Sequence, residues 1–143
     1  KKQQKEFIMK KRYTVILVVL LAGLMLSACG NAVNLNDTQW QLTELNGQPV
    51  LEDVKVTLNL TDGKLGGNDG CNTYGGSFTV KGNEFKAGDD IFSTMMYCSD
   101  TINAQSTAFH TALSQAVSFK MTDQSLSLMG ADGTVLAVFS LTK

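Results

Sequence analysis

Sulfur is the reactive element of this sequence. Cys29, Cys71 and Cys98 are its three cysteines, and Met95-Met96-Tyr97 runs directly into the last of them. Two thioethers beside a thiol form a soft donor set of the kind that takes copper(I). The more ordinary use of such methionines is to fill irregular core space. A thiol pair can also run disulfide exchange, but the chain has no Cys-x-x-Cys spacing to lower one thiol's pKa. His110 is the only histidine. It has no second histidine for a zinc site, and no serine stands in a Gly-x-Ser-x-Gly setting. Its expected place is the solvent-facing side of a helix, next to Phe109. Asp89 and Asp90 read as a charged turn rather than the paired carboxylates of a hydrolase. Residues 66–76, Gly-Gly-Asn-Asp-Gly-Cys-Asn-Thr-Tyr-Gly-Gly, are dense in glycine. They lack the Lys-Ser/Thr pair and helix start of a phosphate loop. Calcium-binding β-repeats work as tandem copies, and this run occurs once. Glycines here permit bulges, tight bends and close backbone approach. The expectation is a protein that is not an enzyme, with no cofactor and no metal.

The elements that must position these residues are mostly strands. Gln39–Leu45 and Val54–Leu60 alternate apolar and polar residues with the period of a strand buried on one face. Asn46-Gly47 and Thr61-Asp62-Gly63 follow them as turns, because Asn-Gly and Asp-Gly tolerate positive φ. Further strand-like pieces are Ser77–Val80, Ile91–Tyr97, Val117–Met121, Ser125–Met129 and Val135–Leu141. One stretch breaks the rhythm. Thr101–Ala116 contains neither Gly nor Pro, and Ile102, Phe109, Ala112, Leu113 and Ala116 lie near one helical face. Ser99 or Asp100 can cap its first turn. The predicted fold is mainly β, a small antiparallel barrel-like sheet with one inserted helix at about 101–116. Curling closed is the best way for such a sheet to avoid open edges.

The N-terminal region fixes the compartment. Lys10, Lys11 and Arg12 precede an apolar stretch from Tyr13 to Leu26, and Leu26-Ser27-Ala28-Cys29 follows. A basic start, a short apolar core and small residues before a cleavage point describe a secretory signal peptide. The stretch is shorter than the ~20 residues that a membrane span needs. Residues 1–28 are therefore assigned as signal peptide, with 1–8 as an upstream extension. The closing tetrapeptide resembles the lipobox of bacterial lipoproteins, which implies lipidation of Cys29 and membrane attachment through its acyl chains. Gly30 stands where an Asp would signal inner-membrane retention, so the expected location is the outer membrane, facing the periplasm. Residues 29–37 read as a lipidated tether and 38–143 as the folded domain.

Cleavage before Cys29 leaves 115 residues with six lysines against twelve carboxylates, a net charge of −6, and no arginine. That surface lacks the groups that pair with nucleic-acid phosphates. It also lacks a polybasic patch for anionic lipid. In an exported domain the remaining pair, Cys71 and Cys98, is most simply a disulfide. Residues 27 positions apart give a loop whose closure stabilises by about 3.6 kcal/mol in the chain-entropy model.

Trp40-x-Leu42, Asn46-Gly47, Gly70-Cys71-Asn72 with Gly75-Gly76-Ser77-Phe78, Thr94-Met95-x-x-Cys98, and then Phe109 and Leu113 together resemble the META domain family, which includes HslJ-like heat-shock lipoproteins. The resemblance spans about Thr38 to Thr142. It departs at two places: an extra Met95 precedes the usual Met-x-Cys, and Gln105-Ser106-Thr107 stands where the family often has a glutamate. The resemblance implies a β-rich barrel with one helix, links to envelope stress and antibiotic tolerance, and no established enzymatic activity. The expected role is binding of an envelope protein partner or a small apolar ligand by a monomer. Trp40, Phe78, Phe92, Met95 and Tyr97 are the candidate contacts, in a barrel interior or on an exposed face. The competing reading is periplasmic redox or metal handling by Cys71, Cys98, Met95 and Met96.

Overall fold

Alternating sequences become strands here, and one uninterrupted helical stretch separates the first seven from the last three. The computed structural model describes residues 34–142. The predicted signal peptide, its upstream extension and Cys29 lie outside the described residues. The strands are β1 (Thr38–Leu45), β2 (Gln48–Pro49), β3 (Thr57–Thr61), β4 (Lys64–Asn68), β5 (Thr73–Lys81), β6 (Glu84–Ala87) and β7 (Phe92–Ser93). After the helix α1 (Asp100–Gln115) come β8 (Ser118–Met121), β9 (Ser125–Met129) and β10 (Val135–Leu141). Eight strands run antiparallel in the order β1, β3, β4, β5, β6, β8, β9, β10, and β10 returns to pair with β1. That closes a barrel and removes the edges an open sheet would expose. β2 and β7 are short additions on β1 and β5.

The hairpins are set by local chemistry. Asn46 and Gly47 have φ of 50° and 74°, and Asp62 and Gly63 have 49° and 72°. Two consecutive positive φ values make type I′ turns, whose twist matches the flanking strands. Along each strand every second side chain points inward. Trp40 and Leu42 of β1, Leu58 and Leu60 of β3, and Leu126 and Leu128 of β9 are therefore all buried. Trp40 Nε1 donates to Thr38 Oγ1 at 2.7 Å, so the buried indole leaves no donor unpaired.

The helix completes the core. Ser99 caps it, accepting from the Ile102 amide at 3.4 Å, and Asp100 sits in the first turn. Phe109, Ala112 and Leu113 point inward. The Phe109 ring meets Tyr74 edge-on at 5.4 Å and Phe139 at 6.4 Å. Burying one such ring contributes about 3 kcal/mol, which ties the helix to two distant strands at once.

Three local expectations change. Leu35, placed in the tether, is buried, and its carbonyl accepts from Thr38 Oγ1 at 2.6 Å. Only Phe92–Ser93 of the expected strand Ile91–Tyr97 pairs in the sheet. Asn72 and Thr73 hold Thr94 and Met96, as described below. β4 and β6 were not anticipated. Two of the five residues of β4 are glycine, and a Cβ on Gly67 would stand 2.2 Å from the Thr57 carbonyl oxygen. Close approach of two backbones removes the alternation by which a strand is recognised.

Candidate functional site

The turn between β4 and β5 is built around a buried carboxylate. Asp69 is 1% exposed. Its Oδ1 accepts from the amides of Cys71 at 2.9 Å and Asn72 at 2.6 Å, and its own amide donates to the Asn72 carbonyl at 2.9 Å. Asp and Asn fold back on their own backbone in this way at tight turns. Gly70 continues the turn at φ 98°, where a Cβ would lie 2.6 Å from Val54. On the other side Asp69 Oδ2 lies 2.9 Å from His110 Nε2. Burial pushes the Asp69 carboxyl up. The Asn72 amide, His110, the Cys71 amide and the nearby Ser106 hydroxyl outweigh it and hold the group below its ordinary value. The carboxylate is then ionised at neutral pH and can only accept, so His110 Nε2 carries the proton between them.

This corrects the expectation for His110. It is half-buried, it crosses from α1 to the β4–β5 turn, and its ring lies 5.3 Å edge-on to Tyr74. The Tyr74 hydroxyl donates to the Thr57 carbonyl at 2.8 Å. Burial, and then the charge on Asp69, push the Tyr74 hydroxyl above its ordinary value. Asp69, His110 and Tyr74 thus form a polar knot on the inner side of the turn.

The outer side of the same turn holds a strap. Cys71 and Cys98 are disulfide-bonded with Cα atoms 6.0 Å apart. Asn72, next to Cys71, is buried and fixes the chain that leads to Cys98. Its Oδ1 accepts from Thr94 Oγ1 at 2.8 Å and from the Met96 amide at 2.7 Å, and its Nδ2 donates to the Met96 carbonyl at 3.2 Å. The Thr94 amide donates to the Thr73 carbonyl at 3.0 Å, and the Thr73 amide returns to Thr94 Oγ1 at 3.2 Å. The Gly-Cys-Asn and Thr-Met…Cys motifs are therefore two halves of one clamp.

What the clamp displays is apolar. Phe92 is 66% exposed, Met95 99%, Met96 62% and Tyr97 76%. Four large apolar side chains in six residues, turned to solvent on a fixed backbone, mark an interaction surface more often than a scattered exposed residue does. Phe92 lies across Gly75, where a Cβ would come within 2.8 Å of its ring. The Tyr97 hydroxyl donates to Asp100, which fixes that ring and raises the phenol's pKa.

The five predicted contact residues separate into two groups. Phe92, Met95 and Tyr97 share the strap. Trp40 and Phe78 are core residues, 1% and 6% exposed, and Phe78 stacks on Phe85 at 5.9 Å. Their large rings fill the barrel rather than line its surface. Cys71 and Cys98, bonded to each other, offer no thiolate to a metal or a substrate. Among the described residues no three of His, Cys, Asp and Glu gather as metal ligands. Asp90, from the expected charged turn, accepts from Ser77 Oγ at 2.6 Å and its amide at 2.9 Å. Those two bonds, the hydroxyl's first, hold its carboxyl below the ordinary value. Gln105, in the stretch where a glutamate is common, accepts from the Leu51 amide at 2.7 Å and so pins a loop. Sequence reasoning missed the Asp69–His110 pair and the role of Asn72. An Asp two and three residues before turn amides is the signal that could have found the first half.

A family model described as META domain matches residues 33–143. No curated protein is similar enough to match the chain. Solved structures resemble it at low identity. An NMR structure of a protein from Burkholderia xenovorans has 23% identity and a TM-score of 0.62, over 76% of this chain and 84% of that one. A second NMR structure has 19% identity and a TM-score of 0.61, over 76% and 95%. A crystal structure of a DUF4847 family protein from Bacteroides vulgatus has 15% identity and a TM-score of 0.57, over 74% and 93%.

Proposed function

The chain belongs to the META domain family, and we propose that it is a non-catalytic docking module, lipid-anchored in the envelope, whose strap holds a protein partner during envelope stress or antibiotic exposure. The observation that carries this reading is the exposure of Phe92, Met95, Met96 and Tyr97 on a backbone clamped by Asn72 and the Cys71–Cys98 bond. Apolar side chains already held in place lose little conformational freedom on docking, so more of the contact energy is left for affinity.

Strand register supports the direction of display. Thr38 pairs with Leu60 at the start of β1, and Val56 bridges Asp69 at the far end of the same ladder. Four residues of strand put roughly 13 Å between those levels. The strap joins Asn72 beyond the second level, so it faces away from the end where the chain enters the barrel.

The test is complementation of a deletion strain at equal protein level, scoring tolerance to envelope stress and drugs. Met95→Glu with Tyr97→Ser should lose tolerance while the barrel stays folded, and Cys29→Ser should lose it through misplacement. His110→Ala, correctly anchored and folded, should keep it. Full tolerance in the strap variant refutes the docking reading, and loss in the folded His110→Ala strain points to an enzyme instead.

A further inference from the structure

Resting on that docking reading, we propose that Met95 and Met96 form a reversible oxidation site that switches the strap from an apolar to a polar surface. A thioether is oxidised wherever a peroxide can reach its sulfur, and the sulfoxide is polar and chiral where the thioether was apolar. Met95 is almost entirely exposed and Met96 more than half. Met129 is buried, and Met121 is partly buried against the core, so the same domain carries Met129 as its own protected control. No thiol competes among the described residues, because Cys71 and Cys98 are bonded to each other.

The second half of the argument is that oxidation leaves the fold alone. Sulfoxide formation in a core disrupts packing. Here neither thioether is in the core, and the bonds that hold the strap run through the Met96 amide and carbonyl to Asn72. The chemistry therefore changes the displayed surface and nothing beneath it. The sulfur lone pair attacks one oxygen of hydrogen peroxide. A sulfur–oxygen bond forms, the oxygen–oxygen bond breaks, and the departing hydroxide takes the proton of the new S–OH group and leaves as water. The thioether loses two electrons and the peroxide gains them. A methionine sulfoxide reductase reverses the step with a dithiol, which becomes a disulfide while the oxygen leaves as water. The strap would then release its partner under peroxide stress and recover it when reductant returns.

Purified protein is treated with hydrogen peroxide and sampled over time by peptide mass mapping, thermal unfolding and hydrophobic-interaction chromatography. Oxidation of Met95 should outpace that of Met129 by about tenfold or more, since the latter needs the barrel to open. The modified protein should unfold within about 2 °C of the unmodified one. Its retention should fall, and reductase with dithiol should restore it. A Met95→Leu, Met96→Leu protein should show no peroxide-dependent change in retention. Oxidation of Met129 as fast as Met95, unchanged retention of the oxidised protein, or an unfolding temperature lowered by clearly more than about 2 °C overturns the proposal. These readouts need no partner. If sulfoxidation is selective and reversible while Met95→Glu with Tyr97→Ser retains tolerance in cells, the docking reading falls and the modification site stands.

Discussion

Replacing Asp69 tests the physical account of the turn most directly. In Asp69→Ala three donors lose their acceptor: the amides of Cys71 and Asn72 and the Nε2 of His110. A buried donor left unpaired costs about 1–3 kcal/mol, and the turn can relax to wet some of them, so the expected loss is about 3–5 kcal/mol. Asp69→Asn is the informative control. Its carbonyl oxygen can still take both amides, and the imidazole can turn its unprotonated nitrogen to the new NH2 group. What disappears is the charge on the acceptor, worth about 1 kcal/mol. Urea unfolding followed by the single, buried Trp40 gives both numbers, and a slope of about 2 kcal/mol per molar turns the alanine loss into a midpoint shift of roughly 2 M.

Acid separates the two effects. The Asp69 carboxyl is held below its unfolded value of 3.8. A depressed folded-state pKa gives stability that is complete above the unfolded value and is lost as pH falls through the folded one. Wild type should therefore lose stability below about pH 4 more steeply than Asp69→Asn, and the gap between them should close. Asp90 and Asp132 also lie below their ordinary values, but they are common to both proteins and cancel in the difference. An alanine variant within 1 kcal/mol of wild type, an asparagine variant as costly as alanine, or parallel acid profiles would refute the reasoning.

Two other outcomes follow from the same region. Replacing Cys71 and Cys98 together by serine should lower stability by up to about 3.6 kcal/mol and speed hydrogen exchange at the Met96 amide; an unchanged exchange rate would mean that Asn72 alone secures the strap. Gly67→Ala places a Cβ 2.2 Å from the Thr57 carbonyl oxygen and 2.8 Å from its Oγ1, so β3 and β4 must part and the loss in a urea midpoint assay should reach about 2 kcal/mol or more. A neutral Gly67→Ala would mean that the two strands approach less closely.

How much of this was legible depends on where each pattern is written. The barrel and helix come from local alternation and local turns. Asn46-Gly47 and Asp62-Gly63 dictate their own hairpins, and Thr101–Ala116 differs from α1 by one residue at each end. Strands that departed from alternation were not visible. β4 is glycine where it touches β3, and in Ile91–Tyr97 the Met96 amide and carbonyl are taken by the Asn72 side chain instead of by a neighbouring strand. The Cys71–Cys98 pair was readable from cysteine number and the expected export of the domain, although its partner in the clamp, Asn72, was not.

The polar knot was hidden for a different reason. Asp69 and His110 are 41 positions apart, and neither position means anything without the other. The helical face chosen from Ile102, Phe109, Ala112, Leu113 and Ala116 counted apolar residues only. Positions 106, 110 and 113 lie three and four apart and so share a stripe of the helix surface, and Ser106 at its start is itself buried. A wider inward arc would have taken in His110 and posed the question of what it meets. The answer lies in the turn, where a carboxylate can be buried only if it gathers its own donors. That requirement links the two sides of the turn. The amides that satisfy Asp69 belong to Cys71 and Asn72, the residues that hold the strap, so the inner charge and the outer apolar surface are fixed by the same four residues of chain.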